Sequence, residues 1–159
     1  MKKIEWCLNQ KNGIELVEPN DNLSKAYIKK AEDALKASTA LENNKDWKIS
    51  SLYYTMYFSL YAILIKLGIK CEIHSCTIEF MNQHLSDYYN NEDTNLLKKS
   101  MKARIDAQYY TDRNISDEQY KNIQEEAPKF LIKSKETIHK LTEDKTKDIR
   151  EKLIQLNKK

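Results

Sequence analysis

Apolar residues recur every three to four positions along most of the chain, and this period predicts an all-α protein. The first clear helix covers residues 22–41, whose apolar side chains fall on one broad face. Asp21 or Asn22 is the expected N-cap, because short polar side chains accept hydrogen bonds from the first free backbone amides of a helix. The polar residues 43–45 are expected to end this helix.

The second helix, predicted from about residue 46 to residue 67, is apolar around most of its circumference. Gly68 is the expected C-terminal cap. Thr55, Ser59 and Lys66 form the only polar strip, so this helix is expected to be surrounded by others and to form the core. Its central seam is predicted to consist of Tyr54, Tyr57, Tyr61, Leu64 and Ile65.

Three more helices are predicted after the second one. A short helix starts at Ser75, a loop covers residues 90–93, and a fourth helix runs from about residue 93 to residue 110. Residues 116–119 read as a capping box that opens the fifth helix. Pro128 should kink or restart that helix, because proline lacks the amide that a helix interior needs.

The pattern as a whole predicts an up-and-down bundle of four to five helices in a single domain. Residues 21–159 are assigned to this bundle, and the charged stretch 133–159 is interpreted as a solvated helix face. Residues 1–20 contain several apolar side chains, a turn and a proline. They are expected to form an N-terminal strap packed on the bundle.

Arg104 lies on the apolar side of the fourth helix. It is seven residues after Leu97, which places it only about 20° away in a helical projection. Asp106 points to the opposite side and cannot neutralise it within the helix. A guanidinium on an apolar face needs a partner, because burying an unpaired charge is costly. Two partners are possible: a carboxylate elsewhere in the fold, or a bound phosphate.

Composition excludes several functional classes. The chain has 159 residues but only two glycines and two prolines. No glycine cluster is present that could form a phosphate-cradling loop, and no Gly-x-Ser-x-Gly motif marks a hydrolase nucleophile. The net charge of +3, with 32% charged residues, is typical of a soluble helical protein and does not by itself indicate nucleic-acid binding.

The longest apolar run, residues 52–65, is shorter than the roughly 20 residues that a bilayer requires. With no leader-like segment, the protein is expected in the cytoplasm and not in a membrane. Three cysteines without a framework spacing are expected to be reduced thiols.

One short segment contains residue types that could bind a metal. Cys71, His74 and Cys76 lie within six residues, but no second cluster completes a tetrahedral set. His84 and Cys7 would serve only if folding brought them near. We therefore expect no metal and no cofactor.

Four segments resemble the HEPN-domain family. Residues 50–57, SSLYYTMY, are similar to the SRAYYAMF segment of its second helix. Residues 68–75, GIKCEIHS, resemble the segment that follows there, which starts with glycine and ends in His-Ser. Residues 104–109, RIDAQY, resemble the Arg-x-x-Ala-Asp-Tyr segment of its fourth helix, and residues 115–118 resemble the start of its last helix. The resemblance runs from about residue 22 to residue 138.

This resemblance implies a helical bundle that dimerises with its arginine-bearing helices facing each other across a cleft. Many members are small prokaryotic proteins encoded beside a minimal nucleotidyltransferase. Some members are metal-independent RNA endonucleases in which an arginine binds the scissile phosphate. In those enzymes a histidine four to six residues later handles the protons.

The histidine of that nuclease motif is missing here, because positions 109–111 hold Tyr109, Tyr110 and Thr111. An ordinary tyrosine is only about one part in a thousand ionised at pH 7, so it replaces a histidine base poorly. Ser51 also stands where relatives often have arginine. His74 is distant in sequence, although folding or dimerisation could bring it to Arg104.

The expected function is therefore a HEPN-type dimer that acts as a binding module more than as an enzyme. Its expected ligands are a nucleotidyltransferase partner and a nucleotide or RNA phosphate, in a toxin–antitoxin-like system. One alternative is a metal-independent RNA endonuclease that uses Arg104 with a non-standard base, and another is a purely structural helical dimer. No catalytic residue is assigned, and the candidate phosphate- or nucleotide-binding residues are Arg104, Tyr109, Tyr110, Thr111, Tyr54, Tyr57 and His74.

Overall fold

Helices make up most of residues 3–157, the part of the chain described by the structure, which is a computed structural model. They are α1 (Lys3–Asn9), α2 (Asp21–Ala40), α3 (Lys45–Lys66), α4 (His74–His84), α5 (Asn91–Tyr109), α6 (Asp117–Lys140) and α7 (Glu143–Asn157). Two short strands, β1 (Glu15–Leu16) and β2 (Ile69–Lys70), pair antiparallel with Glu15 opposite Lys70. The prediction of an all-α helical fold is confirmed.

Helix α3 is the centre of the bundle, with α2, α5 and α6 packed around it. Most of its side chains are buried, including four of the five predicted seam residues, while Tyr54 is only partly buried. The predicted polar strip is wrong for Thr55 and Ser59, which are fully buried. Their hydroxyls are satisfied inside the protein, since Thr55 Oγ1 donates to the Ser51 carbonyl at 2.9 Å and Ser59 Oγ lies 3.1 Å from Ser134 Oγ. A hydroxyl that bonds to its own helix is compatible with the core.

Most of the predicted helix boundaries lie within a few residues of those observed. The N-cap of α2 is Asn20, one or two residues earlier than predicted, and its side chain accepts from the Leu23 amide. The predicted loop at residues 90–93 is wrong, because Asn90 caps α5 in a capping box with Asp93. At the start of α6, Ser116 accepts from the Gln119 amide at 3.2 Å.

The predictions for Pro128 and for Gly68 had different outcomes. Helix α6 runs through Pro128 without restarting, contrary to one of the two expected effects. Gly68 follows α3 with a φ of 72°, as a C-terminal glycine should. A Cβ built at Gly68 would lie 2.5 Å from the Val17 carbonyl oxygen, so the close approach of the N-terminal segment also requires glycine.

The N-terminal segment packs against the helices through its apolar side chains and through β1. Cys7 of α1 forms a disulfide with Cys76 of α4, and both cysteines are fully buried. The expectation that all three cysteines are reduced is therefore wrong, and only Cys71 is free. Sequence spacing does not reveal this pair, because 69 positions separate its members. The division into a strap of residues 1–20 and a bundle of residues 21–159 stays a prediction.

The C-terminal helix α7 is more than a solvated helix face, because Ile149 and Leu153 are buried in the core. Arg150 Nη1 lies 2.7–2.9 Å from three carbonyl oxygens, those of Val17, Leu67 and Gly68. The Leu67 and Gly68 carbonyls lie at the end of α3 and in the turn after it, where a cation is favourable, and the Val17 carbonyl belongs to the N-terminal segment. Arg150 thus joins α7 to the end of α3 and to the N-terminal segment.

Within residues 3–157, none of the helices combines the length and the apolar character needed to cross a membrane.

Candidate functional site

Arg104 lies on the inner face of α5 and is partly buried against α3. Its Nη1 donates to the Tyr54 hydroxyl at 3.2 Å and to Gln108 Oε1 at 3.1 Å. Its Cζ lies 5.3 Å and 5.5 Å from the ring centroids of Tyr53 and Tyr54, within the range of cation–π attraction. All of these partners are neutral, so they leave the charge of the guanidinium uncompensated.

The Nε atom of Arg104 is buried and makes no hydrogen bond to any residue in the range 3–157. Over the same range, no carboxylate forms an ion pair with Arg104. The first of the two partners considered from sequence, a carboxylate elsewhere in the fold, is therefore not found in the described part of the chain. A buried guanidinium donor without a protein acceptor is rare and requires an explanation.

Asp106 lies on the other side of α5, as predicted. It pairs with Lys102 at 2.5 Å and with Arg113 at 2.7 Å. Hydrogen bonds from Lys102, the larger contribution, and from Arg113 lower the pKa of the Asp106 carboxyl below its usual value. Its charge is satisfied locally and is not directed at Arg104.

The fold brings His74, the first residue of α4, next to Arg104 and its contacts Tyr53, Tyr54 and Gln108. Together with His74 and Tyr57, these residues are called the Arg104 cluster. A hydrogen bond of 2.7 Å joins His74 Nδ1 to the Tyr53 hydroxyl, and the imidazole stacks on the Tyr57 ring at a centroid distance of 4.0 Å. Burial lowers the pKa of His74 to about 4, with a further contribution from the positive charge of Arg104. The imidazole is therefore neutral at pH 7, and the positive charge of this group of side chains is that of Arg104.

The three tyrosines beside Arg104 differ in their surroundings. Tyr53 and Tyr57 are buried, and burial raises the pKa of both hydroxyls, which stay protonated at all physiological pH values. The Tyr57 hydroxyl lies 3.4 Å from Thr77 Oγ1, which agrees with a packing role. Tyr54 is partly exposed, and its ring stacks on Phe58 at 5.1 Å.

The other three candidate residues lie apart from this cluster, where α5 ends. Tyr109 is 71% exposed, and the Tyr110 ring has the Arg113 guanidinium 3.5 Å above its centroid. Together with Thr111 they line a recess of about 490 Å³, to which Gln108 also contributes. The structure therefore brings together Arg104, Tyr54, Tyr57 and His74, whereas residues 109–111 meet this group only through Gln108.

The candidate residues predicted from sequence did not include two members of the cluster, Tyr53 and Gln108. Gln108 follows Arg104 by four residues, a spacing that puts both on one helix face, so this contact had a readable signal. Tyr53 touches both Arg104 and His74, but this depends on the packing of α3 against α4 and α5 and has no local signal.

The metal interpretation of residues 71–76 finds no support in the geometry. Cys76 is held in the disulfide, and His74 Nδ1 is engaged by Tyr53. Among the described residues, no three histidine, cysteine or acidic side chains are grouped so that they could hold a metal ion.

Chemically, the cluster combines one permanent cation with hydroxyl and imidazole groups that stay neutral. Such a set can bind an anion by charge and hydrogen bonds. It is poorly suited to proton transfer at pH 7, because the pKa of its histidine is far below that pH.

Comparison with known protein families matched the model of the HEPN domain over residues 24–138. A search of the curated proteins gave no significant match. The matched region runs from the first turn of α2 to the last turn of α6 and contains every residue of the Arg104 cluster. The chain therefore belongs to the HEPN family.

Proposed function

We propose that this HEPN protein is a binding module that holds a phosphate group of a nucleotide or RNA against Arg104. The observation that carries this proposal is the partly buried guanidinium with a buried, unpartnered Nε and no carboxylate among the described residues. A phosphate supplies both the missing charge and the missing acceptors. Charge-assisted hydrogen bonds of this kind are about twice as strong as neutral ones.

We further propose that the module works as a homodimer. Family resemblance implies that the two arginine-bearing helices face each other, which would bring two Arg104 side chains to one cleft. Two like charges repel unless anions lie between them, so dimerisation would strengthen the affinity for phosphate. Sedimentation velocity at micromolar concentration tests this step, and a monomer there would contradict it.

The protein partner in this proposal is a minimal nucleotidyltransferase, in a cytoplasmic toxin–antitoxin-like pair. Support for the partner comes from the family resemblance. The identity of the neighbouring gene, followed by co-purification of the two proteins, tests it. A neighbour of another kind together with failure to co-purify would favour the purely structural dimer.

A metal-independent RNA endonuclease is the second candidate function, and the contact of both His74 and Arg104 with Tyr53 is the observation that favours it. Two other observations oppose an endonuclease function. The pKa of His74 is about 4, so it is a weak base, and residues 109–111 provide no histidine at the motif position. Arg104-dependent cleavage of RNA in the presence of a chelator would establish the nuclease in place of the binding module.

The decisive binding experiment compares the parent protein with Arg104→Ala and Arg104→Lys, using a labelled single-stranded RNA and AMP as probes. We expect Arg104→Ala to weaken binding by ~1–3 kcal/mol, the range for a charge-assisted hydrogen bond. Arg104→Lys should also lose affinity, because lysine lacks the bidentate fork. Lys102→Ala is the matched control, since it removes an equal charge from the solvent side of α5. Equal losses in Arg104→Ala and Lys102→Ala would reject a specific site.

A further inference from the structure

A groove opens beside the Arg104 cluster, between α2, α3 and α5. It has a volume of about 400 Å³ and is lined by the rings of Trp47, Tyr54 and Phe58 and by the small side chains of Ala34 and Ala37. We call it the aromatic groove. Gln108, which accepts a hydrogen bond from Arg104, also lines it.

Trp47 is the unusual residue of this groove, because its large apolar side chain is 58% exposed. It belongs to the first turn of α3, where its backbone amide is held by the Asn44 side chain that caps the helix. Trp47 and Tyr54 are seven residues apart and therefore share one face of α3. The indole is thus presented from a rigid helix, at the edge of a gap that the two alanines leave open.

The charges at the aromatic groove favour an anionic ligand. Lys30 Nζ lies 4.8 Å from the Phe58 ring centroid and forms no ion pair with any residue from 3 to 157. Asp33, the only acid that lines the groove, is paired with Lys29 at 2.9 Å. Arg104 is one hydrogen bond away through either Tyr54 or Gln108. The aromatic surface is therefore flanked by two cations without a carboxylate partner.

We propose that the aromatic groove receives the base of the same nucleotide or RNA whose phosphate lies at Arg104, with the base stacked on Trp47. This inference rests on the proposed function. A base presents flat π-faces, which stack on exposed aromatic side chains whatever the sequence, and the phosphate beside it is drawn to the cations. The groove thereby assigns a ligand class: a base-bearing phosphate and not inorganic phosphate alone.

The experiment uses Trp6→Phe as the starting protein, so that Trp47 is the only tryptophan and its fluorescence reports the aromatic groove. The probes are AMP, adenosine, inorganic phosphate and an eight-nucleotide single-stranded RNA. We expect AMP or the RNA to quench Trp47 fluorescence and inorganic phosphate to leave it unchanged. Binding of AMP identifies a mononucleotide as sufficient, whereas binding of the RNA alone identifies the strand as the ligand.

Affinities of Trp47 variants for the same probes, measured by calorimetry, give the second readout. Trp47→Ala should weaken binding of the base-bearing probe about 5- to 150-fold, the range for removing a stacking ring. Trp47→Phe should recover most of that affinity. Both variants should keep the parent melting temperature, since the side chain is largely exposed.

The inference fails if Trp47→Ala binds the probe as tightly as its parent while Arg104→Ala does not, and in that case the proposed function stands. It also fails if Trp47→Ala turns a dimer into a monomer with no change in ligand affinity, because a second copy of the chain then covers the groove. If neither Arg104→Ala nor Trp47→Ala changes the binding of any probe, the proposed function itself fails.

Discussion

Arg104 on α5 donates from Nη1 to the Tyr54 hydroxyl on α3 across 3.2 Å. Fifty positions separate the two residues, and this bond joins the two helices that frame the candidate site. Tyr54 therefore belongs to both candidate sites, because its hydroxyl contacts the guanidinium while its ring lines the aromatic groove.

Replacing Tyr54 with phenylalanine separates these two roles. The ring stays in place, but Arg104 loses an acceptor, so we expect phosphate affinity to fall by about 0.5–1.5 kcal/mol, the usual net value of one hydrogen bond. Stacking of a base on Trp47 should be preserved. Titration with AMP checks both effects, with Tyr88→Phe, in the turn after α4, as the matched control. A loss as large as that of Arg104→Ala would contradict a purely orienting role for the hydroxyl.

His74 should make the stability of the protein depend on pH. Its pKa is about 4 in the folded protein and about 6.5 when unfolded, so the unfolded chain binds more protons between these values. The His74 contribution to the free energy of unfolding is therefore fully present above about pH 6.5 and is lost as the pH drops towards 4. Burial also lowers the pKa of His84, which adds a slope of the same sign.

Urea unfolding at several pH values measures this slope. His74→Asn keeps a polar partner for the Tyr53 hydroxyl but cannot titrate, so it should flatten the curve below pH 6.5. His139→Asn, at an exposed position near the end of α6, is the matched control for the chemical change. Identical slopes in the parent and in His74→Asn would show that the imidazole does not titrate in this way.

Leu64 tests the assignment of α3 as the core helix, because its side chain is 0% exposed. Leu64→Ala should lower the free energy of unfolding by ~2–5 kcal/mol through lost burial and the cavity left behind. Leu23→Ala makes the same chemical change at a position that is 42% exposed, and it should cost far less. Denaturant unfolding of both variants gives the comparison, and equal costs would place Leu64 outside the core.

Arg150 is expected to contribute to stability through the three carbonyl oxygens around its Nη1. Arg150→Ala should lower the free energy of unfolding by about 1.5–3 kcal/mol, since hydrogen bonds to a charged group are worth that much. Arg150→Lys should recover part of the loss. Lys147→Ala, at an exposed position of the same helix, should have little effect on the thermal midpoint. An Arg150→Ala variant as stable as Lys147→Ala would show that the bonds from Arg150 to these carbonyls do not stabilise the fold.

Local patterns were sufficient for most of the fold. The period of apolar residues and the capping residue Ser116 predicted helices close to those observed, and the same period put Arg104 on the inner face of α5. Thr55 and Ser59 were misplaced because a hydroxyl on a helix can satisfy itself and then pack in the core. Hydropathy alone does not reveal that option.

Contacts between distant segments could not be predicted in the same way. The site depends on His74 meeting Tyr53, and the end of α3 depends on Arg150, which is more than 80 residues further along the chain. Each of these contacts is decided by how helices pack and not by the residues next to them in sequence. The cluster around Arg104 is therefore a property of the folded protein.

The burial of the Cys7–Cys76 disulfide has a consequence for its exchange with external thiols. Both sulfurs belong to residues that are 0% exposed, so neither an oxidant nor a reductant can reach them while α1 stays docked on α4. Thiol–disulfide exchange needs direct access to a sulfur, and access here requires a local opening of α1. Exchange of either sulfur with an external thiol should thus occur only in molecules in which α1 has opened.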